Sequence, residues 1–132
     1  MQTLNVEQTK PAPVRVLLAD DSDLIRRAIQ RVLELESSVL VVGEAKSFAQ
    51  AFELCTALKP KIVILDLHMR DESKFTAEFI KSELLNCAEH VLAISVWNDD
   101  AAKDLASSYG AFALLDKSTL GSALLPIILK LS

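Results

Sequence analysis

The stretch Val16-Leu-Leu-Ala-Asp-Asp-Ser22 (VLLADDS) runs from four apolar residues directly into two adjacent carboxylates. The apolar residues suit a strand buried on both faces, whereas Asp20 and Asp21 repel each other and are costly to bury unpaired. Ser22 can accept a hydrogen bond from the first turn of a following helix, in which Ile25 stands three residues on. The stretch therefore predicts a buried strand that ends at a charged site and turns directly into a helix.

An apolar run followed by an amphipathic segment recurs five times along the chain. The apolar runs predict strands, and apolar residues spaced three and four apart predict helices. The strands are expected at 14–19, 39–44, 61–67, 91–96 and 113–115, and the helices at 23–36, 48–58, 76–85, 101–109 and 119–131. This alternation predicts an α/β fold with one five-stranded parallel, doubly wound sheet in a three-layer αβα arrangement.

The composition indicates one globular domain. The chain has 132 residues, of which 51% are apolar, enough to form a core. Residues 1–13 are predicted to be a flexible N-terminal leader and residues 14–132 the domain. Fourteen basic and 18 acidic residues give a formal charge of −4, which does not favour direct nucleic-acid binding.

The sequence also bears on location and on the cysteines. No apolar run approaches the roughly 20 residues needed to span a membrane, and the polar N-terminus does not resemble a signal peptide. A cytoplasmic location without membrane attachment is therefore expected. Cys55 and Cys87 form no CxxC motif or Cys/His cluster, so we expect two free thiols rather than a disulfide or a metal site.

Polar side chains stand at the predicted carboxyl ends of four strands. Asp20 and Asp21 end the first strand, Asp66 and Ser95 lie near the ends of the third and fourth, and Lys117 follows the fifth. In a doubly wound sheet these ends share one edge, where ligands bind. Three carboxylates favour Mg²⁺, and a lysine opposite them can pair with a carboxylate or a phosphate. We expect these five residues to form one site.

The sequence resembles the response-regulator receiver domains of two-component signalling. The matching motifs are LLADDS, ILDLHM, AISVWND and FALLDKS, which occur in this order across 14–131. The resemblance implies the CheY-like (βα)5 flavodoxin-like receiver fold. It also implies a phosphoprotein that accepts a phosphoryl group from a histidine kinase, a phosphotransfer protein or a small phosphodonor, with Mg²⁺ as cofactor.

The resemblance also implies a role for each matching residue. Asp66 is the expected phosphoacceptor, and Lys117 and Ser95 are expected to contact the phosphoryl oxygens. Mg²⁺ is expected on Asp21, Asp66 and the backbone carbonyl of His68, with Asp20 acting through a metal-bound water.

Two of the chain's departures from the family pattern bear on the loop after the third strand and on the switch. The loop after the third strand has Arg70 and Lys74 where the family usually has Pro and Gly, so its path does not follow from the resemblance. Leu114 stands at the usual aromatic switch position, which excludes the common switch mechanism. Phe112, two residues earlier, is expected in the core.

Two functions remain open at this stage. The first is a stand-alone response regulator that is not an enzyme beyond its own phosphorylation and dephosphorylation. It would act on an unknown output protein and could form a homodimer through the fourth helix, fifth strand and fifth helix. The alternative is a pseudo-receiver, a binding module without phosphotransfer. A phosphatase of the haloacid-dehalogenase type is disfavoured, because that family needs an aspartate where this chain has His68.

Overall fold

The computed structural model describes residues 12–132, so most of the predicted leader lies outside the described residues. Strands and helices alternate along this part of the chain. The strands are β1 (Val14–Ala19), β2 (Val39–Ala45), β3 (Ile62–Asp66), β4 (His90–Ser95) and β5 (Ala113–Asp116). The helices are α1 (Asp23–Leu33), α2 (Phe48–Leu58), α3 (Ala77–Leu85), α4 (Asp100–Ser108) and α5 (Leu120–Leu131). The predicted α/β class and order of elements are confirmed.

The five strands form one parallel sheet in the order β2-β1-β3-β4-β5. Alternate residues of β1 enter opposite cores: Leu17 belongs to the cluster that contains residues of α2, α3 and α4, and Leu18 belongs to the cluster that contains residues of α1 and α5. The sheet is therefore the middle layer of three. The strand order reverses between β1 and β3, and the carboxyl ends of these two strands form the edge where such folds bind ligands.

Local signals set most of the helix ends. The Ser22 hydroxyl accepts a hydrogen bond from Ile25 N–H at 3.2 Å and caps α1, as predicted. Gly110 follows α4 with φ of +81°, and a Cβ there would lie 2.8 Å from Leu85 Cδ1. Glycine meets both the backbone and the packing requirement at this position. Helix α5 begins at Leu120 and continues through Pro126.

The prediction of two free thiols was wrong. Cys55 in α2 and Cys87, two residues beyond α3, form a disulfide with their Cα atoms 5.8 Å apart. The two cysteines are 32 residues apart in sequence, and no local motif connects them. Their proximity arises because α2 and α3 pack side by side on the same face of the sheet.

Two aromatic residues are more exposed than the sequence predicts. Phe112 lies just before β5, is 52% exposed and packs against His90 with ring centroids 6.1 Å apart, so its assignment to the core was wrong. Phe79 lies in α3, a helix predicted from apolar periodicity, yet it is 44% exposed and stacks on Phe75. In the described part of the chain, no helix is both long enough and apolar enough to span a membrane.

Candidate functional site

The structure brings the three predicted carboxylates together at the β1/β3 edge. Asp20 and Asp21 follow β1 directly, and Asp66 is the last residue of β3. One carboxylate oxygen from each of the three lies within 4.8 Å of the others. Asp20 is fully buried, Asp66 is 5% exposed and Asp21 is half-buried. This arrangement concentrates negative charge in a small, largely buried volume.

Lys117 supplies the opposite charge from the far side of the site. Its ammonium lies 2.7 Å from Asp20 Oδ2 and 3.3 Å from Asp66 Oδ1. Asp116 accepts hydrogen bonds from both the backbone N–H and the hydroxyl of Ser118 at 2.8 Å. These bonds stabilise the turn that begins at Lys117. Because β5 lies next to β4 with Asp116 opposite Ser95, the turn starts at the same edge as the carboxylates.

The surroundings shift the acid–base behaviour of Asp66 and Lys117. Burial, together with the negative charge of Asp20, raises the pKa of Asp66 to about 6, although Lys117 and the His68 N–H act in the opposite direction. Burial opposes the charge of Lys117, but its contacts with Asp20 and Asp66 outweigh burial and raise the pKa of Lys117. These surroundings therefore favour a proton on Asp66 more than an exposed environment would.

Ser95, His68 and Trp97 lie beside Asp66. Ser95 ends β4 and is buried, and its hydroxyl accepts a hydrogen bond from Trp97 N–H at 3.0 Å. The His68 N–H donates to Asp66 Oδ1 at 3.3 Å. The His68 and Trp97 rings form a T-shaped pair with centroids 5.9 Å apart, and Trp97 is 59% exposed. The two rings therefore form an open aromatic border at the site.

Asp71 fixes the path of the loop that follows β3. Its two carboxylate oxygens accept hydrogen bonds from Phe48 N–H at 2.9 Å and Ala49 N–H at 3.0 Å, in the first turn of α2. The loop then forms a short 3-10 turn over Glu72–Lys74. Sequence reasoning missed Asp71 because its partners are more than 20 residues away.

The backbone of this loop does not require a glycine at position 74. Within residues 12–132, positive φ occurs at Lys59 and Gly110, and neither lies in the loop.

We expect Asp71→Ala to lower the free energy of unfolding by about 1–2 kcal/mol, because it leaves two helix N-terminal donors unpaired and removes a favourable charge from the helix dipole. Urea unfolding of the two proteins measures the difference. Ser73→Ala, an exposed position in the same loop, is the matched control. Equal stabilities for the two variants would contradict the assigned role of Asp71.

The donor set of the site suits a hard divalent cation. Carboxylate oxygens are preferred ligands of Mg²⁺, which binds few protein groups and retains several waters. Asp20 Oδ1 accepts the Ser22 N–H at 2.9 Å. Oδ2 of the same carboxylate accepts no hydrogen bond of regular geometry from the described residues, although the Lys117 ammonium lies close to it. The three carboxylates therefore fit Mg²⁺.

Sequence reasoning also missed Arg26. This arginine of α1 is buried, and its guanidinium donates to the Asp20 carbonyl, to Glu44 and to Asp23. Periodicity placed the position on a predicted helix, but no local pattern indicated that the side chain would turn toward the acidic site.

Comparisons with known proteins agree with this geometry. The family described as the response regulator receiver domain matches residues 16–128. The chain is 32% identical over 119 residues to the response regulator protein VraR of Staphylococcus saprophyticus, covering 89% of this chain and 56% of that protein. It is 34% identical over 122 residues to the probable transcriptional regulatory protein NarL of Mycobacterium tuberculosis, covering 91% and 55%. The chain thus spans about half the length of these two relatives.

Solved structures show the same fold. The signal receiver domain of NarL from Mycobacterium tuberculosis superposes with a TM-score of 0.74 at 32% identity, over 89% of this chain and 98% of that chain. The response regulator domain of Thermotoga maritima CheB gives a TM-score of 0.76 at 22% identity, over 89% and 95%. The second similarity supports the fold alone.

Proposed function

Because the chain belongs to the family of response regulator receiver domains, we propose that it accepts a phosphoryl group on Asp66 and signals to another protein in the phosphorylated state. One observation carries the proposal: Asp66, buried at the end of β3, lies between two further aspartates and a lysine ammonium. This constellation combines a nucleophile with an ammonium that can neutralise an incoming phosphate and with carboxylates that can hold a divalent cation for the same purpose.

In the proposed reaction, a carboxylate oxygen of Asp66 attacks the phosphorus of the donor. The bond from phosphorus to the donor's leaving atom, a histidine nitrogen or an acetate oxygen, breaks, and its electron pair departs with the leaving group. The product is an acyl phosphate, which hydrolysis returns to the carboxylate. Phosphoryl transfer depends mainly on positioning and charge neutralisation, and this proposal assigns neutralisation to Lys117 and to a cation held by the carboxylates.

The remaining residues have separate roles in this proposal. Lys117 contacts Asp66 Oδ1 in the resting site and can move its ammonium to the phosphoryl oxygens. The Ser95 hydroxyl, which accepts the Trp97 N–H, can donate its proton to the same oxygens. Asp20, Asp21 and Asp66, with the His68 carbonyl, would hold Mg²⁺. When bound, this ion neutralises charge on the transferring group.

We further infer that the phosphoryl donor is a histidine kinase, a phosphotransfer protein or a small phosphodonor. Homodimerisation through α4, β5 and α5 stays a prediction.

A cytoplasmic location is also part of the proposal. The Cys55–Cys87 disulfide is an observation against it, because disulfides are uncommon in cytoplasmic proteins.

Intact-mass measurement after incubation with acetyl phosphate tests this function. We expect Mg²⁺-dependent addition of one phosphoryl group, prevented by a chelator, and peptide mapping should place the group on Asp66. Absence of a mass gain under these conditions would leave only the binding-module alternative. Modification of another residue would likewise overturn the assignment of Asp66.

A further inference from the structure

We propose that Arg26 is a positioning residue for the acidic site, because its guanidinium fixes the peptide that joins the two adjacent aspartates. The Asp20 carbonyl belongs to the peptide unit between Asp20 and Asp21, so its orientation affects the directions in which both side chains leave the backbone. This inference rests on the proposed function in one respect, namely that the carboxylates hold Mg²⁺.

The first step is the contact itself. Arg26 Nη1 donates to the Asp20 carbonyl at 2.6 Å in a buried environment. Asp20 N–H donates to the Ala45 carbonyl at 3.0 Å. Asp20 is therefore held on both of its backbone polar groups, one by the end of β2 and one by the guanidinium.

The second step is the support of the guanidinium. Its Nε donates to Glu44 Oε1 at 2.9 Å, and Nη2 donates to Asp23 in the first turn of α1. Glu44 also accepts from Gln30 in α1. The guanidinium therefore joins β2, α1 and the β1 end, and its planar, five-donor shape lets one side chain hold three acceptors in fixed directions.

The third step is burial. The Arg26 side chain is 6% exposed, and an arginine is rarely buried unless its charge and donors are paired. The side chain contacts the Asp20 backbone rather than the metal-binding carboxylate oxygens. Its proposed role is therefore indirect, through the geometry of the two aspartates.

The electrostatic effect and the positioning effect predict opposite changes in Mg²⁺ affinity when the Arg26 side chain is removed. Replacing Arg26 with a neutral residue removes a positive charge near the carboxylates, and charge alone would then strengthen Mg²⁺ binding. Loss of positioning leaves the buried Asp20 carbonyl without this donor and frees the peptide to rotate, which weakens Mg²⁺ binding. The sign of the change therefore separates the two effects.

The test compares the Mg²⁺ Kd of the wild type, Arg26→Met and Arg26→Lys, with Arg27→Met as the control at an adjacent exposed arginine. Kd is obtained from Trp97 fluorescence and, in parallel, from the increase in unfolding free energy with Mg²⁺ concentration. A Kd describes only folded molecules, so it separates positioning from a loss of stability.

We expect Arg26→Met to raise the Mg²⁺ Kd at least about 5-fold, and Arg27→Met to leave it unchanged or slightly lower. Arg26→Lys keeps the charge but offers a single ammonium in place of the fork, so we expect a smaller rise, and this variant decides the question if Arg26→Met does not fold. An unchanged or lower Kd in the Arg26 variants would overturn the inference. Failure of the wild type itself to bind Mg²⁺ would overturn the proposed function, and the positioning role with it.

Discussion

Lys117→Met should slow phosphorylation by acetyl phosphate at least about 100-fold at saturating Mg²⁺. The Lys117 ammonium is the positive group that the described residues place against Asp66, at 3.3 Å. A preorganised donor to developing charge typically contributes 10²–10³ in rate. Methionine keeps much of the length of the side chain but supplies neither charge nor a hydrogen-bond donor.

The same substitution should strengthen Mg²⁺ binding. The ammonium lies 2.7 Å from Asp20 and 3.3 Å from Asp66, where it competes with a cation for the same oxygens. Removal of this competitor makes the metal-free carboxylates more repulsive, and this repulsion is relieved when Mg²⁺ binds. A slower transfer combined with a lower Mg²⁺ Kd is therefore the signature that we expect.

Initial rates of phosphorylation from intact-mass spectra, together with the Mg²⁺ Kd from Trp97 fluorescence, measure the two effects. Lys103→Met, at an exposed lysine of α4, is the matched control and should change neither quantity. A Lys117→Met protein that is phosphorylated at the wild-type rate would show that this lysine does not serve the transfer step.

The carboxyl-terminal edge of the sheet was predictable because short local patterns determine it. An apolar run followed by Asp20, Asp66 or Ser95 predicts both the strand and the polar residue near its end. The rule that parallel strands share one carboxyl edge then brings these residues together. Lys117 joined the prediction for the same reason, since it directly follows β5.

The features that the sequence did not predict depend on contacts between distant segments. Asp71 binds the start of α2, and Arg26 binds the end of β2. Cys55 in α2 forms a disulfide with Cys87, which follows the neighbouring helix α3. Each partner is set by how the elements pack, which local periodicity does not encode. Phe112 was misplaced because it precedes β5, where the regular alternation of side chains between the two faces of a strand does not apply.

Asp66→Asn should both abolish phosphoryl acceptance at this position and stabilise the metal-free protein. An amide offers no anionic oxygen for attack on phosphorus, so the acetyl phosphate adduct should be lost from this residue. The stability effect follows from charge. Burial and Asp20 raise the pKa of Asp66 from 3.8 to about 6 in the folded protein, so ionised Asp66 opposes folding.

The sign of the pH dependence follows from proton binding. Between pH 3.8 and about 6 the folded state holds the Asp66 proton more tightly than the unfolded chain does, so the contribution of this group to stability falls as the pH increases. A rise in the pKa of Asp66 from 3.8 to about 6 corresponds to roughly 3 kcal/mol of folding free energy. We therefore expect the free energy of unfolding of Asp66→Asn to exceed that of the wild type by about 1–3 kcal/mol at pH 7. The difference should shrink toward pH 4.

Urea unfolding in a chelator at a series of pH values from 4 to 7.5 measures this difference, with Asp104→Asn, an exposed aspartate of α4, as the control. Added Mg²⁺ should make the wild type more stable than Asp66→Asn, because the cation stabilises the ionised wild-type site more than the amide variant. A stability difference that does not vary with pH would mean that the pKa of Asp66 is not raised in the way that its buried surroundings indicate. In that case its contribution to folding would have to come from packing instead of charge.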